Sequence, residues 1–455
     1  MSTEILVSGT PEGYDAKIIL NEIKHQGNSV IHIARDDKRM RAMGDALKFF
    51  KPDLAVFEFP SWDCLPYDRV SPNLEISSAR MGILSKFADN IAKEYVVLTT
   101  LNAVLQKVPC SSVVKSYGFK AVVGRNINES NLREFLVRMG FTKSSTVREA
   151  GEYAIRGGII DIFPPRYSNP VRLDLFGTIL DGARLFDPET QLTIKKLHEI
   201  ELAPVSEVVL DEFSIRNFRQ SYRAEFGSSL SNDPLYESVS AGRKYQGLEH
   251  WLPLFYEKLD TFFSYFPSAT VTMYKNLETD LSSRCKLVAD QYEARNFAND
   301  NKPTKDYAYK PLKPTALYLD EADWVNLIKT RRTLIFDPLP QPLGPNIIDS
   351  GGRAGRNFAP ERQSNNLNLF SSLADHLKTR LQSGPVLIAS YSEGSLERLS
   401  GLLTDEGLDR PVAVSNWSMV VSPVVHMSVW PLDQGFQTPE SVSYTHLRAH
   451  ETMAH

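Results

Sequence analysis

Four apolar runs of strand length, ILVSG (5–9), SVIHIA (29–34), DLAVFEF (53–59) and EYVVLTT (94–100), are spread through the first hundred residues with helical patterns between them. Strands that far apart cannot close tight hairpins. They need crossover connections, and crossovers build a parallel sheet with helices on its faces. One such helix is expected to begin after Asn73, an N-cap residue, with Ile76, Met81, Ile83 and Leu84 on its apolar side. Residues 1–118 therefore read as the first part of an α/β domain of nucleotide-binding architecture.

The first run leads into SGTPEGYDAKIIL, where Gly9 and Gly13 stand between strand and helix. A nucleotide-dependent motor places its phosphate loop there, with the pattern GxxxxGK[ST]. In this chain Tyr14 and Asp15 stand where the lysine and the hydroxyl are required. Tyr14 brings no charge to a phosphate. Asp15 and Glu12 bring charge of the wrong sign, more than a helix dipole of about half a charge offsets. A motor also needs an acidic pair after a later strand to hold Mg²⁺. The candidate strand ATVTMY (269–274) runs instead into Lys275-Asn276-Leu277-Glu278. The expectation is a degenerate phosphate loop at Gly9, Gly13, Tyr14 and Asp15, with no catalytic residue and neither ATP nor Mg²⁺ as a cofactor of this segment.

The pattern changes at 119. Asn128 can cap a helix whose Leu132, Phe135, Leu136 and Met139 share a face, and Gly140 can end it. From 151 to about 204, short β runs are punctuated by Gly-Gly, Pro-Pro, Asn-Pro and Asp-Gly, which marks antiparallel strands with tight turns. Residues 119–205 thus read as a compact α+β domain inserted into the α/β domain, which resumes over 206–337. The aromatic-rich HWLPLFYEKLDTFFSYFP (250–267) reads as core. The segment 338–366, rich in Pro and Gly and without periodicity, reads as a mobile linker. A partial small α/β domain follows at 367–440, with a helix near 367–382, a strand at PVLIAS (385–390) and a helix from Glu393.

Net charge is −4, so no global basic field favours nucleic acid; such a contact would need a local patch. No apolar run approaches the ~18 residues of a membrane span, and MSTEILVSGTPEG lacks the form of a signal peptide. Cys64, Cys110 and Cys285 are widely spaced and include no CxxC pair, which suits a reducing cytoplasm and gives no metal framework. A cytoplasmic monomer is expected. The final SVSYTHLRAHETMAH (441–455) breaks register with everything before it. Its HETMAH places His450 and His455 five apart, one too many for the i, i+4 spacing of a zinc helix. It reads as a non-native tail that should be disordered and make few contacts with the body.

Several stretches together resemble the N-terminal part of the bacterial transcription-repair coupling factors, whose first module is similar to the excision-repair protein UvrB. They are WDCLPYDRVSPNLEISSAR (62–80), GEYAIRGGIIDIFPP (151–165), VRLDLFGTILDGARLFDPETQ (171–191), GLEHWLPLFY (247–256) and FFSYFP (262–267). UvrB itself, an ATP-dependent excision-repair subunit and the alternative reading, would carry GSGKT at 9–15. It would also have a long Tyr-rich hairpin where this chain has the short LPYDRVSPN.

The resemblance implies a degenerate helicase-like sheet domain whose inserted α+β domain docks on UvrA, the damage-recognition ATPase. The implicated positions fall on Arg156, Arg172 and Phe176. In VRLDLF, alternation puts Val171, Leu173 and Leu175 on the core face and Arg172, Asp174 and Phe176 on the other. An aromatic beside an arginine on an open face has the composition of an interface hot spot. The alternative is a Phe176 covered by a neighbouring loop and an Arg172 paired with Asp174. Arg156 precedes Gly157-Gly158, where a bulge or a close approach is expected. The family commonly has acidic residues where this chain has Thr178-Ile179. The resemblance further implies that RNA polymerase, DNA, ATP and Mg²⁺ belong to later domains of a longer protein, and that the third unit's sheet lacks a final strand.

Overall fold

The computed structural model describes residues 3–88, 94–227, 233–300, 309–363, 368–439 and 442–445. Its first layer is built from β1 (Thr3–Ser8), α1 (Tyr14–Gln26), β2 (Val30–Ala34), α2 (Asp37–Phe50), β3 (Ala55–Phe59), α3 (Leu74–Phe87) and β4 (Tyr95–Thr100). These strands join three later ones in a seven-stranded parallel sheet. The order is Ile347–Asp349, β1, Arg332–Asp337, Thr270–Tyr274, β2, β4, β3. Every residue of β2 and β4 is buried, as central parallel strands covered by helices on both faces require. The two halves of the domain are thus one sheet, although about 170 residues of other structure separate β4 from Thr270.

Helix α3 starts where Asn73 Oδ1 accepts from Glu75 N at 2.9 Å. It is buried nearly all round, and small residues let a second domain approach it closely. A Cβ at Gly82 would stand 2.3 Å from the Pro165 carbonyl oxygen of the inserted domain. Elsewhere in a helix, alanine in place of glycine gains about 1 kcal/mol. Here backbone lies in the way, and forcing extra volume into packed structure costs about 1–3 kcal/mol. Gly82→Ala is therefore expected to lower stability by about 1–2 kcal/mol, measured by urea denaturation; an increase would show that the domains are free to separate.

The inserted domain enters at Phe119–Val122 and leaves at Glu199–Leu202, and these two strands pair antiparallel, so both ends of the insertion lie side by side. Between them a six-stranded sheet runs in the order Thr193–Leu197, Ile179–Phe186, Val171–Phe176, Ile159–Ile162, Glu152–Arg156, Thr142–Lys143. Helix Glu129–Arg138, capped by Asn128 as the sequence suggests, packs Leu132, Phe135 and Leu136 against one face of it. The aromatic run after 250 forms two 3₁₀ turns whose Trp251, Phe255, Phe262, Phe263 and Phe266 are all buried.

Two expectations are corrected. Over its described residues the segment read as a linker is not free: Ile347–Asp349 adds an edge strand beside β1, and Arg353–Ala354 pairs with Phe436–Gln437 in the third unit. Its Pro and Gly residues flank strands too short to show a period. The tail is not detached over its first residues, because Val442–Thr445 lies parallel to Val386–Ser390 in the third sheet. VSYT is rich in β-forming residues and continues a sheet already begun. Among the described residues that third sheet has six strands, Val442–Thr445 lying beside Val386–Ser390. His446, His450 and His455 lie outside the described residues.

Candidate functional site: a closed phosphate loop and an arginine-aromatic face

The loop between β1 and α1 holds both glycines in the left-handed region, Gly9 at φ 67° and Gly13 at φ 88°. Its space is taken by the chain itself. Ser350 N and Oγ both donate to Ser8 O, at 2.9 and 3.0 Å, and Tyr14 Oη donates to Ser350 O at 3.0 Å. A Cβ on Gly9 would meet Gly352 O at 2.7 Å, and one on Gly13 would meet the Phe436 ring at 2.8 Å. The segment read as a linker thus returns over the loop, with Phe436 of the third unit against it.

Asp15 is bonded within the loop itself. Its Oδ1 accepts from Gly13 N at 2.9 Å and from Ala16 N at 3.0 Å, so the carboxylate itself sits at the α1 N-terminus where an anion is favoured. Arg39 Nη2 holds its Oδ2 at 2.9 Å, and Arg39 Nη1 pairs with Glu12. Burial pushes Asp15 up to about 6 against the pull of Arg39. At the end of Thr270–Tyr274, Lys275 Nζ reaches Asp337 at 2.6 Å, so a cation stands where a motor has its metal-binding acid.

In the inserted domain, Arg156 and Arg172 converge on one carboxylate. Arg172 Nε donates to Asp161 Oδ1 at 2.7 Å and its Nη2 to Oδ2 at 2.9 Å; Arg156 Nη2 donates to Oδ2 at 2.8 Å. Asp161 is buried beneath them, directly across the strand pair from Arg172. Arg172 also donates to Gln191 Oε1 at 2.8 Å and lies 4.5 Å over the Phe186 ring. The Arg172–Asp174 pair does not form, because Arg184 takes Asp174. Arg172 is thus a fixed guanidinium, while half of the Arg156 side chain stays in solvent.

Phe176 ends its strand opposite Ile179, across a two-residue turn in which Gly177 has φ 62°. No loop covers it: Phe176 is 80% exposed, with Ile179 and Ile159 also open beside it. Gly157-Gly158 forms the neighbouring hairpin turn rather than a bulge, and Gly158 O accepts from Leu175 N at 2.7 Å. A Cβ at Gly158 would meet Leu175 O at 2.6 Å, so the two hairpin tips are pressed together.

Residues 119–208 match the family described as the UvrB interaction domain. Across most of its length the chain is similar to curated proteins named transcription-repair-coupling factor. It is 25% identical over 418 residues to that of Rickettsia bellii (92% of this chain, 36% of the relative). It is 27% identical over 442 residues to that of Haemophilus influenzae (94% and 36%) and 28% over 394 residues to that of Escherichia coli (85% and 33%). All three of these relatives are transcription-repair-coupling factors. The chain spans about a third of their length, and the likeness covers most of this chain.

Within this family resemblance, Asp161, Gln191 and Phe186 are the residues that sequence reasoning missed. Asp161 left one signal, a carboxylate between isoleucines in a strand, where an acid must find a partner. Gln191 left none. Among the described residues, no helix is long and apolar enough to cross a membrane.

Proposed function

We propose that the inserted domain is the docking module for UvrA of nucleotide excision repair, through the face carrying Arg156, Arg172 and Phe176. The observation that carries this reading is Phe176, a large aromatic left open at a hairpin tip, on the strand whose Arg172 guanidinium is already fixed by Asp161. Pre-ordered aromatic and arginine anchors lose little freedom on binding, and interfaces concentrate their energy in them. In a longer protein of this family, the module would bring UvrA to RNA polymerase stalled at DNA damage. Contacts with polymerase and DNA would then lie in parts beyond this chain.

Phe176→Ala tests the reading. Truncating such an anchor is expected to weaken UvrA capture by about 2 kcal/mol, roughly thirtyfold. Because the ring is exposed, stability should stay within about 0.5 kcal/mol. Full capture by the variant would refute the docking face, and early unfolding would show that the ring serves the fold.

The sheet domain acts in this proposal as a scaffold without nucleotide. Restoring the side chains alone, Tyr14→Lys with Asp15→Ser, is expected to leave Mg²⁺-ATP binding undetectable by calorimetric titration, since Ser350, Gly352 and Phe436 still fill the cradle. Micromolar binding by the unaltered chain would favour the ATP-dependent reading instead.

A further inference from the structure

Away from both features, helix Leu277–Asp300 faces the segment 314–320 across a cavity of about 190 Å³. Leu105, Val288, Pro314 and Leu319 give it apolar walls. Arg284 also lines it, and its Nε is buried without a hydrogen-bond partner among the described residues. Burial lowers the pKa of this guanidinium. The carboxylate at the rim, Asp320, is committed elsewhere: its Oδ1 accepts from Asp323 N at 2.8 Å to cap helix Glu321–Lys329. Buried charge is ordinarily paired, because the lost hydration has to be replaced. An apolar cavity edged by a half-buried guanidinium whose Nε lacks a partner is the complement of a small molecule with an apolar body and one carboxylate.

We propose that this cavity is a binding site for a small apolar carboxylate, its chain between Val288 and Pro314 and its carboxylate on Arg284. The volume admits roughly six non-hydrogen atoms or a few more, the size of a short fatty acid. Binding would brace the join between the first sheet and the helical region, since Leu319 N donates to Leu105 O at 2.8 Å along the same wall.

Cys285, a half-buried thiol in the cavity wall, is a built-in reporter. Its alkylation, followed peptide by peptide with Cys110 as internal control, is measured with hexanoate, hexanol or hexylamine added to the full chain. Hexanoate should slow alkylation of Cys285 as one plus the ratio of ligand to its dissociation constant, about elevenfold at ten times that constant. Hexanol and hexylamine at the same concentrations should protect little. Arg284→Met, which removes the charge but keeps apolar volume, should abolish protection by hexanoate, and Arg284→Lys should retain part of it. Equal protection by hexanol, protection surviving in Arg284→Met, or no protection by hexanoate would each overturn the proposal; the comparison of probes on the unaltered chain stands even if a variant folds poorly.

Discussion

Arg80→Ala is expected to destabilise the chain by about 3–5 kcal/mol, the cost of leaving a buried carboxylate without its partner. Arg80 and Glu207 are both fully buried. Arg80 Nη2 donates to Glu207 Oε1 at 2.9 Å, and its Nη1 to Pro60 O at 2.8 Å. The guanidinium lies 4.3 Å from the Phe59 ring, and Trp62 Nε1 donates to Glu207 Oε2 at 2.8 Å. Tyr256 Oη completes the cluster on the Glu207 carbonyl at 2.8 Å. Strand β3, helix α3, the exit of the inserted domain and the aromatic core therefore meet at one ion pair. Lysine lacks the planar fork that serves Glu207 and Pro60 together, so Arg80→Lys should recover little. The double change Arg80→Met, Glu207→Leu removes both charges and should lose much less than Arg80→Ala alone. Chemical denaturation of the three variants decides it. A loss under about 1 kcal/mol in Arg80→Ala would mean that water reaches the pair.

That ion pair also marks the limit of what the sequence discloses. The parallel sheet is legible because its central strands are buried on both faces and so appear as unbroken apolar runs, SVIHIA and EYVVLTT among them. The inserted domain is legible because tight turns demand glycine, as at Gly157 and Gly177. Arg80 in ISSARMG looks like any solvated helical arginine, since its partner lies 127 residues away. The outward direction of Phe176 follows from the period of VRLDLF, whereas the choice of Asp161 over Asp174 as the partner of Arg172 depends on cross-strand register. Composition misleads most at 338–366. Gly351 and Gly352, which suggest slack chain, are there because Tyr14, Gly9 and Pro439 leave no room for a side chain. A sequence can show that no lysine follows Gly13; that Ser350 and Gly352 pack over Gly9 is a fact of tertiary structure.

Asp161→Asn is expected to remove about 2–4 kcal/mol, because the amide keeps the volume but leaves Arg156 and Arg172 facing a neutral group whose NH₂ repels them. Exposure of Arg156 holds the effect toward the lower part of that range, since water replaces part of what it loses. Gln191 and the Phe186 ring keep Arg172 partly restrained, so the sheet should still fold. The two arginines nevertheless lose the anchor that fixes their direction. On the proposed docking face, UvrA capture should therefore fall although both arginines and Phe176 remain. That outcome separates Asp161 from Phe176: truncating the ring changes capture without stability, whereas neutralising the carboxylate changes both. The measurement pairs a denaturation midpoint with a UvrA titration, made well below the temperature at which the variant melts. If stability falls while capture is untouched, the arginine pair serves the fold alone, and recognition rests on Phe176 and its apolar neighbours.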